Sequence, residues 1–415
     1  MNRNISMPTL GIYKRLSKKN ASILCFGPCH PAAHGVLRLI LQLSGEVISK
    51  LDPHIGLLHR GTEELITRKH YIKGIPYFDR LDYVSMLSQE HVYCLGIERL
   101  LGQKHVSAQI NWLRIMFDEL TRVLNHLLAV SCHALDIGSM STLFWAFETR
   151  EKIMYFYEAV SGARMHAAYY RPAQQFNLLL TQKLLDEIIL FTKEAYYTLN
   201  EMHNVLTYNA LWKRRLINIG NLSYENCINY SLTGVLARSA GLKTDLRIAK
   251  YNTYSGYNFC NFKSFIGING DSFDRYLIRM GEMGESLKLA ALAAKKLKRY
   301  KNLNKNALPA LLTQTFYTEH QSSYTSMEEL ITHFVNWHTG FRVSTARTLA
   351  FIEAPKGLFG VMINSDNTAN PVRCKIRSPS YFNLQALSKI STGHTLADLA
   401  ALIGTIDVVF GEVDR

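Results

Sequence analysis

Two imidazoles stand four residues apart in His30-Pro-Ala-Ala-His34-Gly, just after Gly27-Pro28. Histidines at that spacing serve as metal ligands, as proton carriers, or as neither. Zinc peptidases place H-E-x-x-H on a helix with the glutamate as base, whereas Pro31 and two alanines intervene here, which disfavours metal. Pro31 fixes its own φ and biases His30 away from helix, and Gly35 suits an unusual backbone angle. The pattern predicts a turn leading into a strand. Its plainest reading is a pair of hydrogen-bonded histidines at a strand entry.

Two further polar residues lie in apolar settings. Tyr83 closes Pro76-Tyr-Phe-Asp-Arg-Leu-Asp-Tyr83, where Asp79, Arg80 and Asp82 crowd an expected helix start. A phenol there is a proton donor, or more simply a core ring with a satisfied hydroxyl. Asp136, in Ala134-Leu-Asp-Ile-Gly138, ends an apolar helical stretch, where an acid opposes the helix dipole and calls for a cation. A salt bridge to a core arginine such as Arg122 or Arg80 would satisfy it. The seven cysteines (25, 29, 94, 132, 227, 260 and 374) are odd in number and form no C-x-x-C. They predict reduced, mostly buried thiols, with no disulfide framework, structural zinc or iron–sulfur site of the chain's own.

The elements that must hold these residues follow from pattern. Val36–Leu43 and Glu46–Leu51 flank Ser44-Gly45 and predict a hairpin, with a turn at Asp52-Pro53-His54 and helix from Thr62. From Tyr83 to about Leu211 the period is helical: Trp112, Ile115, Met116, Leu120, Val123, Leu124 and Leu127 recur at three- and four-residue steps. Ser139–Tyr157, Gln182–Leu206 and Leu277–Arg299 repeat it, predicting a helical bundle. Strand signals return at Ala350–Glu353, Gly360–Asn364 and Val372–Ile376, then helix at Leu384–Ser391 and Thr395–Ile403. The expected fold class is α+β: a basic arm over 1–21, then one unit with β structure over 22–60, a helical core over 61–300 and mixed α/β over 326–415.

With 415 residues, 47% of them hydrophobic, the chain can bury a large core, and no apolar run approaches the roughly 20 residues of a membrane span. Its net charge of +14 suits nucleic acid, an anionic surface or acidic partner subunits. Nucleic acid is disfavoured, because no zinc-finger spacing or interleaved aromatic signature accompanies the charge. Residues 1–20 carry five cations and no acid, in keeping with a presequence or a docking arm. The second basic cluster, Lys295–Lys301, continues an amphipathic helix and reads as its solvated end.

Taken together, the motifs resemble a known family. Gly27-Pro-Cys-His-Pro-Ala-Ala-His-Gly-Val-Leu-Arg-Leu39, His54-Ile-Gly-Leu-Leu-His-Arg-Gly-Thr-Glu63, Pro76–Tyr83, Ser161-Gly-Ala-Arg-Met-His166, Glu353-Ala-Pro-Lys-Gly357 and Phe410-Gly-Glu-Val-Asp-Arg415 are similar, in that order, to the 49-kDa subunits (subunit 7, or D) of respiratory complex I, the proton-pumping NADH:quinone oxidoreductase. The resemblance covers about residue 22 to the end. It implies the fold of the nickel–iron hydrogenase large subunit and a place beside a subunit carrying the terminal 4Fe-4S cluster. NADH would bind a distant subunit, ubiquinone would be the substrate, and this chain would hold no metal and be inactive alone. Other implied partners are the 30-kDa subunit and the membrane subunit at the quinone entrance, on the matrix side of the mitochondrial inner membrane.

By the same resemblance His34 and Tyr83 flank the quinone headgroup, and Asp136 pairs with His34 and keeps it charged. His30, Arg80, Ser85, Val409 and Arg415 belong to the quinone pocket, with Arg60 near the partner's cluster or in an ordinary buried salt bridge. Hydrogenases bind nickel and iron through two C-x-x-C pairs; this chain has neither. It also departs from the family pattern. Cys29 replaces the usual glutamine, Ala173-Gln174-Gln175 stands where a glycine pair is usual, residues 102–111 are one longer, and Tyr251–Phe265 has lost most of its acids.

Overall fold

The chain starts its described course with an antiparallel sheet in the order β1 (Ala21–Phe26), β2 (Arg38–Ser44), β3 (Val47–His54). The computed structural model describes residues 21–102, 106–172, 174–175, 180–249, 254–299 and 327–415. The basic arm expected over 1–21 lies outside them but for Ala21. So do 103–105 of the lengthened stretch, Ala173 of the altered loop and 251–253 of the acid-poor stretch.

The hairpin forms as the pattern predicts, with Gly45 at a φ of 68° in the turn. β2 starts two residues later than expected. The amides of Val36 and Leu37 instead close the preceding turn on the Ala33 carbonyl (3.2 and 3.0 Å). The turn expected at Asp52-Pro53-His54 does not form: β3 runs through all three, Pro53 opposite Leu39. β3 is an edge strand, where a residue without an N–H is tolerated.

The helical period is realised by Met86–Leu100, Ala108–Ile137, Ser141–Ser161, Gln182–Thr207 and Ser272–Lys298. Ser107 starts the longest of them by accepting from the Ile110 amide (3.3 Å), and Gly138, at a φ of 111°, ends it. Its apolar stripe, from Leu113 to Leu127, is buried. Lys295, Lys296 and Lys298 occupy the last turn of Ser272–Lys298, where they complement the helix dipole. The helix start expected around Asp79–Asp82 is instead an ending. Pro76 lies in the first turn of a short helix, Ile75–Asp79, and residues 80–85 link it to Met86–Leu100.

The C-terminal strands form a second antiparallel sheet, β6 (Ala346–Ala354), β7 (Gly357–Ser365) and β8 (Arg373–Arg377). Between the two sheets in sequence, β4 (Tyr170–Arg171) pairs with β5 (Gln174–Gln175). Helices Pro379–Ile390, Leu396–Ile406 and Phe410–Asp414 follow. The fold class is thus α+β as expected, with sheets towards both ends and helices between.

Two apolar clusters result. One joins the long helices to β6–β8, and the other joins β1–β3 to the C-terminal helices. Adjacent residues Val409 and Phe410 belong to different clusters, so the C-terminal tail runs along their seam.

Candidate functional site

The His30–His34 turn is a single 3-10 turn. His30 accepts from the Ala32 amide through Nδ1 (3.2 Å), and the His34 amide closes the turn on the Pro31 carbonyl (3.1 Å). His34 ends it at a φ of 52°, a left-handed conformation uncommon for a side chain of this kind. That backbone aims its ring towards Phe410, 6.1 Å away between ring centres. The ring is exposed, yet desolvation by surrounding protein is the main influence on it and lowers its pKa, with Asp407 opposing and Lys356 adding to the fall. The His34 imidazole is neutral at pH 7.

Tyr83 sits in the loop before Met86–Leu100, half-buried against the first apolar cluster. Two acids fix this loop. The Asp79 carboxylate accepts from the Ala168 amide (2.9 Å), and Asp82 accepts from the Val84 amide (3.2 Å) and the Ser85 hydroxyl. Burial raises the Tyr83 phenol pKa and Asp82 adds to it, while Lys356 and Arg60 act the other way.

The tail clamps the same loop from the other side. Arg60 donates to the carbonyls of Arg80 (2.7 Å) and Gly411 (3.3 Å), and Asp414 accepts from the amides of Gly56 (2.9 Å) and Leu58 (2.8 Å). A Cβ on Gly411 would stand 2.6 Å from the Leu81 carbonyl oxygen, so only glycine lets tail and loop approach this closely.

Lys356 occupies the centre. It lies in the two-residue turn joining β6 to β7, a place where lysine ordinarily points into water. Here Gly234 meets the Gly357 backbone so closely that a Cβ on Gly234 would stand 2.5 Å from the Gly357 Cα, and the turn is driven inward. The ammonium, with no side-chain exposure, pairs with Asp82 (3.2 Å) and Asp407 (3.8 Å) and donates to the Asn125 side-chain carbonyl. Asn125 returns a bond to Asp407 (2.8 Å). Burial pulls the lysine pKa down, but Asp407, Asp82 and Glu412 outweigh it, and the group stays charged. Lys356 acts electrostatically on both His34 and Tyr83, so the two residues face one charge.

The other expected site residues divide. Arg60 and Arg80 belong to this neighbourhood. Ser85 is buried and serves Asp82, and Val409 is buried in the first cluster. Arg415 joins the neighbourhood through its carbonyl, which accepts from the Arg60 amide (3.1 Å), while its side chain turns away. It pairs with Glu63 (3.1 Å), donates to the Ile376 carbonyl (2.8 Å) and lines a separate cavity of about 360 Å³ with Phe351 and Tyr381.

Asp136 forms no ion pair with His34, Arg122 or Arg80. Its carboxyl is raised to about 6 by desolvation, and the charge opposing the rise belongs to His30. Arg122 is instead engaged by Glu119 (3.5 Å) and Glu282 (3.8 Å). Lys356, Asn125, Asp407 and Glu412 escaped the sequence reading; only the Glu353-Ala-Pro-Lys-Gly357 and Gly411-Glu-Val-Asp-Arg415 motifs pointed near them. Among the described residues, no group of three His, Cys, Asp or Glu could hold a metal, and no helix is long and apolar enough to cross a membrane.

Comparison with known proteins gives this arrangement its context. Residues 136–415 match the family model described as the 49-kDa subunit of respiratory-chain NADH dehydrogenase. A protein of Paramecium tetraurelia named NADH-ubiquinone oxidoreductase 49 kDa subunit is 57% identical over 94% of this chain and 98% of its own length. The protein of the same name from Acanthamoeba castellanii is 48% identical over 97% and 98%. One from Nephroselmis olivacea, named NADH dehydrogenase [ubiquinone] iron-sulfur protein 2, is 47% identical over 94% and 96%. The chain belongs to the family of 49-kDa subunits of respiratory-chain NADH dehydrogenase, complex I.

Proposed function

We propose that this subunit forms the inner end of the quinone site of complex I, together with the subunit carrying the terminal 4Fe-4S cluster. The relatives' names supply ubiquinone as the oxidant. One observation carries the reading: Tyr83 and His34, far apart in sequence, both come under the charge of the buried Lys356.

Quinone gains two electrons from the partner's cluster and two protons, giving quinol. Burial and Asp82 hold the Tyr83 phenol protonated, so it rests loaded and gives one proton to the nearer quinone oxygen. His34 rests neutral. Negative charge growing on the second oxygen supplies the stabilisation that burial withholds, so His34 takes up a proton and passes it on. Asp136 stands near the His30 end of the same turn, whose charge opposes the rise of its carboxyl pKa. Arg60 and Arg80 line the side towards the cluster, where the Arg60 charge would raise its potential. Arg415 and Ser85 support the walls. The subunit works on the matrix side of the mitochondrial inner membrane, against the 30-kDa subunit and the membrane subunit at the quinone entrance.

Tyr83→Phe removes the donor and little volume. In assembled complex it lowers quinone reduction by about 10²-fold or more, while NADH oxidation by an artificial acceptor persists. Near-normal turnover with short- and long-tailed quinones would sink the reading.

A further inference from the structure

The cavity that Arg415 lines opens on a face of the molecule that the quinone chemistry does not involve. Three rows of directly paired residues cross the outer face of the C-terminal sheet: Arg347, Asn364 and Arg373; Leu349, Met362 and Lys375; Phe351, Gly360 and Arg377. Residues paired in this way share one side of a sheet. The other side packs on helix Met86–Leu100, where Gly96 meets Ala350 and Ile363. The outer rows have an apolar centre. Phe351 lies so close over Gly360 that a Cβ there would stand 2.4 Å from its ring, and Leu349 beside it is 49% exposed. Tyr381 and Phe382, near the start of helix Pro379–Ile390, wall the cavity of about 360 Å³ that this floor leaves open.

The charge around that centre has one sign. No acid stands in the three rows, and among the described residues Arg347, Arg373, Lys375 and Arg377 form no ion pair within 4 Å. Their partners are neutral. Arg347 donates to the Met362 sulfur (2.8 Å), and Arg377 donates to the carbonyls of Leu358 (2.5 Å) and Ser231 (3.3 Å) and lies over the Phe382 ring (4.8 Å). Both edges of the sheet are blocked part-way to a further strand. Glu63 and Arg415, paired with each other at 3.1 Å, take the amide (3.0 Å) and the carbonyl (2.8 Å) of Ile376 on β8, and Arg99 takes the Leu349 carbonyl on β6. A partner must therefore come onto the face and not along an edge.

The chain's own remaining segments do not suit this face. Residues 1–20 hold five cations and no acid, and 300–326 hold Lys301 and Lys305 against Glu319. A second copy would bring the same cations against it. We infer that the face docks an acidic segment of another complex I subunit, which sets one apolar or aromatic side chain into the cavity and carboxylates onto Arg347, Arg373, Lys375 and Arg377. An apolar centre inside a charged rim is the anatomy of a protein interface, and the sign of the rim selects the partner.

Lys375 allows a test on the unaltered enzyme. A carbodiimide joins an amine to a carboxylate in contact with it. Treatment of intact complex I should link Lys375 to an Asp or Glu in an acid-rich peptide of another subunit. The lysine should also be shielded from an amine-directed reagent until the complex is dissociated. Links only to acids of this chain, no link at all, or equal labelling before and after dissociation would overturn the inference. So would shielding that vanishes when lipid is stripped from complex whose subunits stay together, since lipid headgroups would then be the occupant. Lys375→Glu combined with Arg373→Glu reverses the rim at two exposed positions. It is expected to speed loss of the subunit from the complex in raised salt by at least about tenfold, and an unchanged rate counts against the docking.

Discussion

Two buried ionic clusters lie side by side and differ in what their charges can do. In the helical bundle, Arg238 pairs with Glu282 and Glu353 at 2.7 Å each, and Arg247 pairs with Asp245 (2.8 Å) and Glu119 (3.2 Å). Glu119 also takes bonds from Tyr257 and Ser286 (both 2.7 Å). The cations are guanidiniums, which do not give up protons in proteins. At the seam, the members are Lys356, Asp82, Asp407, Glu412, Tyr83 and His34, and among the described residues no arginine pairs with any of them within 4 Å. The clusters are joined. Glu353 and Lys356 flank one hairpin turn, while His126 and Asn125 stand next to each other on one helix and face different clusters. Permanent charge fills the bundle cluster, and titratable groups fill the seam.

Breaking the permanent cluster has the largest effect. Arg238→Met strands the buried Glu353 and weakens the hold on Glu282, which costs about 3–5 kcal/mol, enough to keep the subunit out of assembled complex on native gels. Normal assembly would show that the guanidiniums are not the scaffold. Lys356→Met strands Asp82 and Asp407 instead. Here stability becomes pH-dependent with a defined sign.

In the unaltered chain Lys356 holds the Asp407 pKa down, so that stabilisation is present above the ordinary aspartate range and is lost as pH falls through the lowered value. Without the lysine that lowering shrinks, so the variant gives up less stability on acidification than the unaltered chain. The melting-temperature gap to the unaltered complex should therefore narrow as pH falls through the aspartate range; a constant gap would deny the titratable character of the seam. Quinone reduction is expected to be lost throughout.

Asp136→Asn is the mildest. Its carboxyl, raised to about 6, disfavours folding once ionised, so the variant melts slightly higher at pH 7 than the unaltered complex. It also loses any inflection near pH 6 in quinone turnover. A profile that keeps the inflection assigns it to another group.

The sequence made local structure legible and convergence illegible. The stripe from Leu113 to Leu127 specified its helix, Ser44-Gly45 its hairpin, and the Pro31 and Gly35 pair its turn, because each pattern acts within a few residues. Pro53 misled, since only the sheet order reveals an unpaired edge. Asp136 was assigned a partner by resemblance, whereas the charge that acts on its carboxyl belongs to the other histidine of the turn. Lys356 stood out only as part of the Glu353–Gly357 motif. Its burial depends on Gly234 meeting Gly357, a contact with no signal in either local pattern.

That inward hairpin carries a consequence for how the site comes into being. Asn125 reaches 231 residues along the chain to Lys356 and 282 to Asp407, and Lys356 reaches back to Asp82 as well. The buried charge cluster can then close only at the final docking step, once the C-terminal stretch has laid itself across the rest. A partly folded subunit would own no feeble version of it.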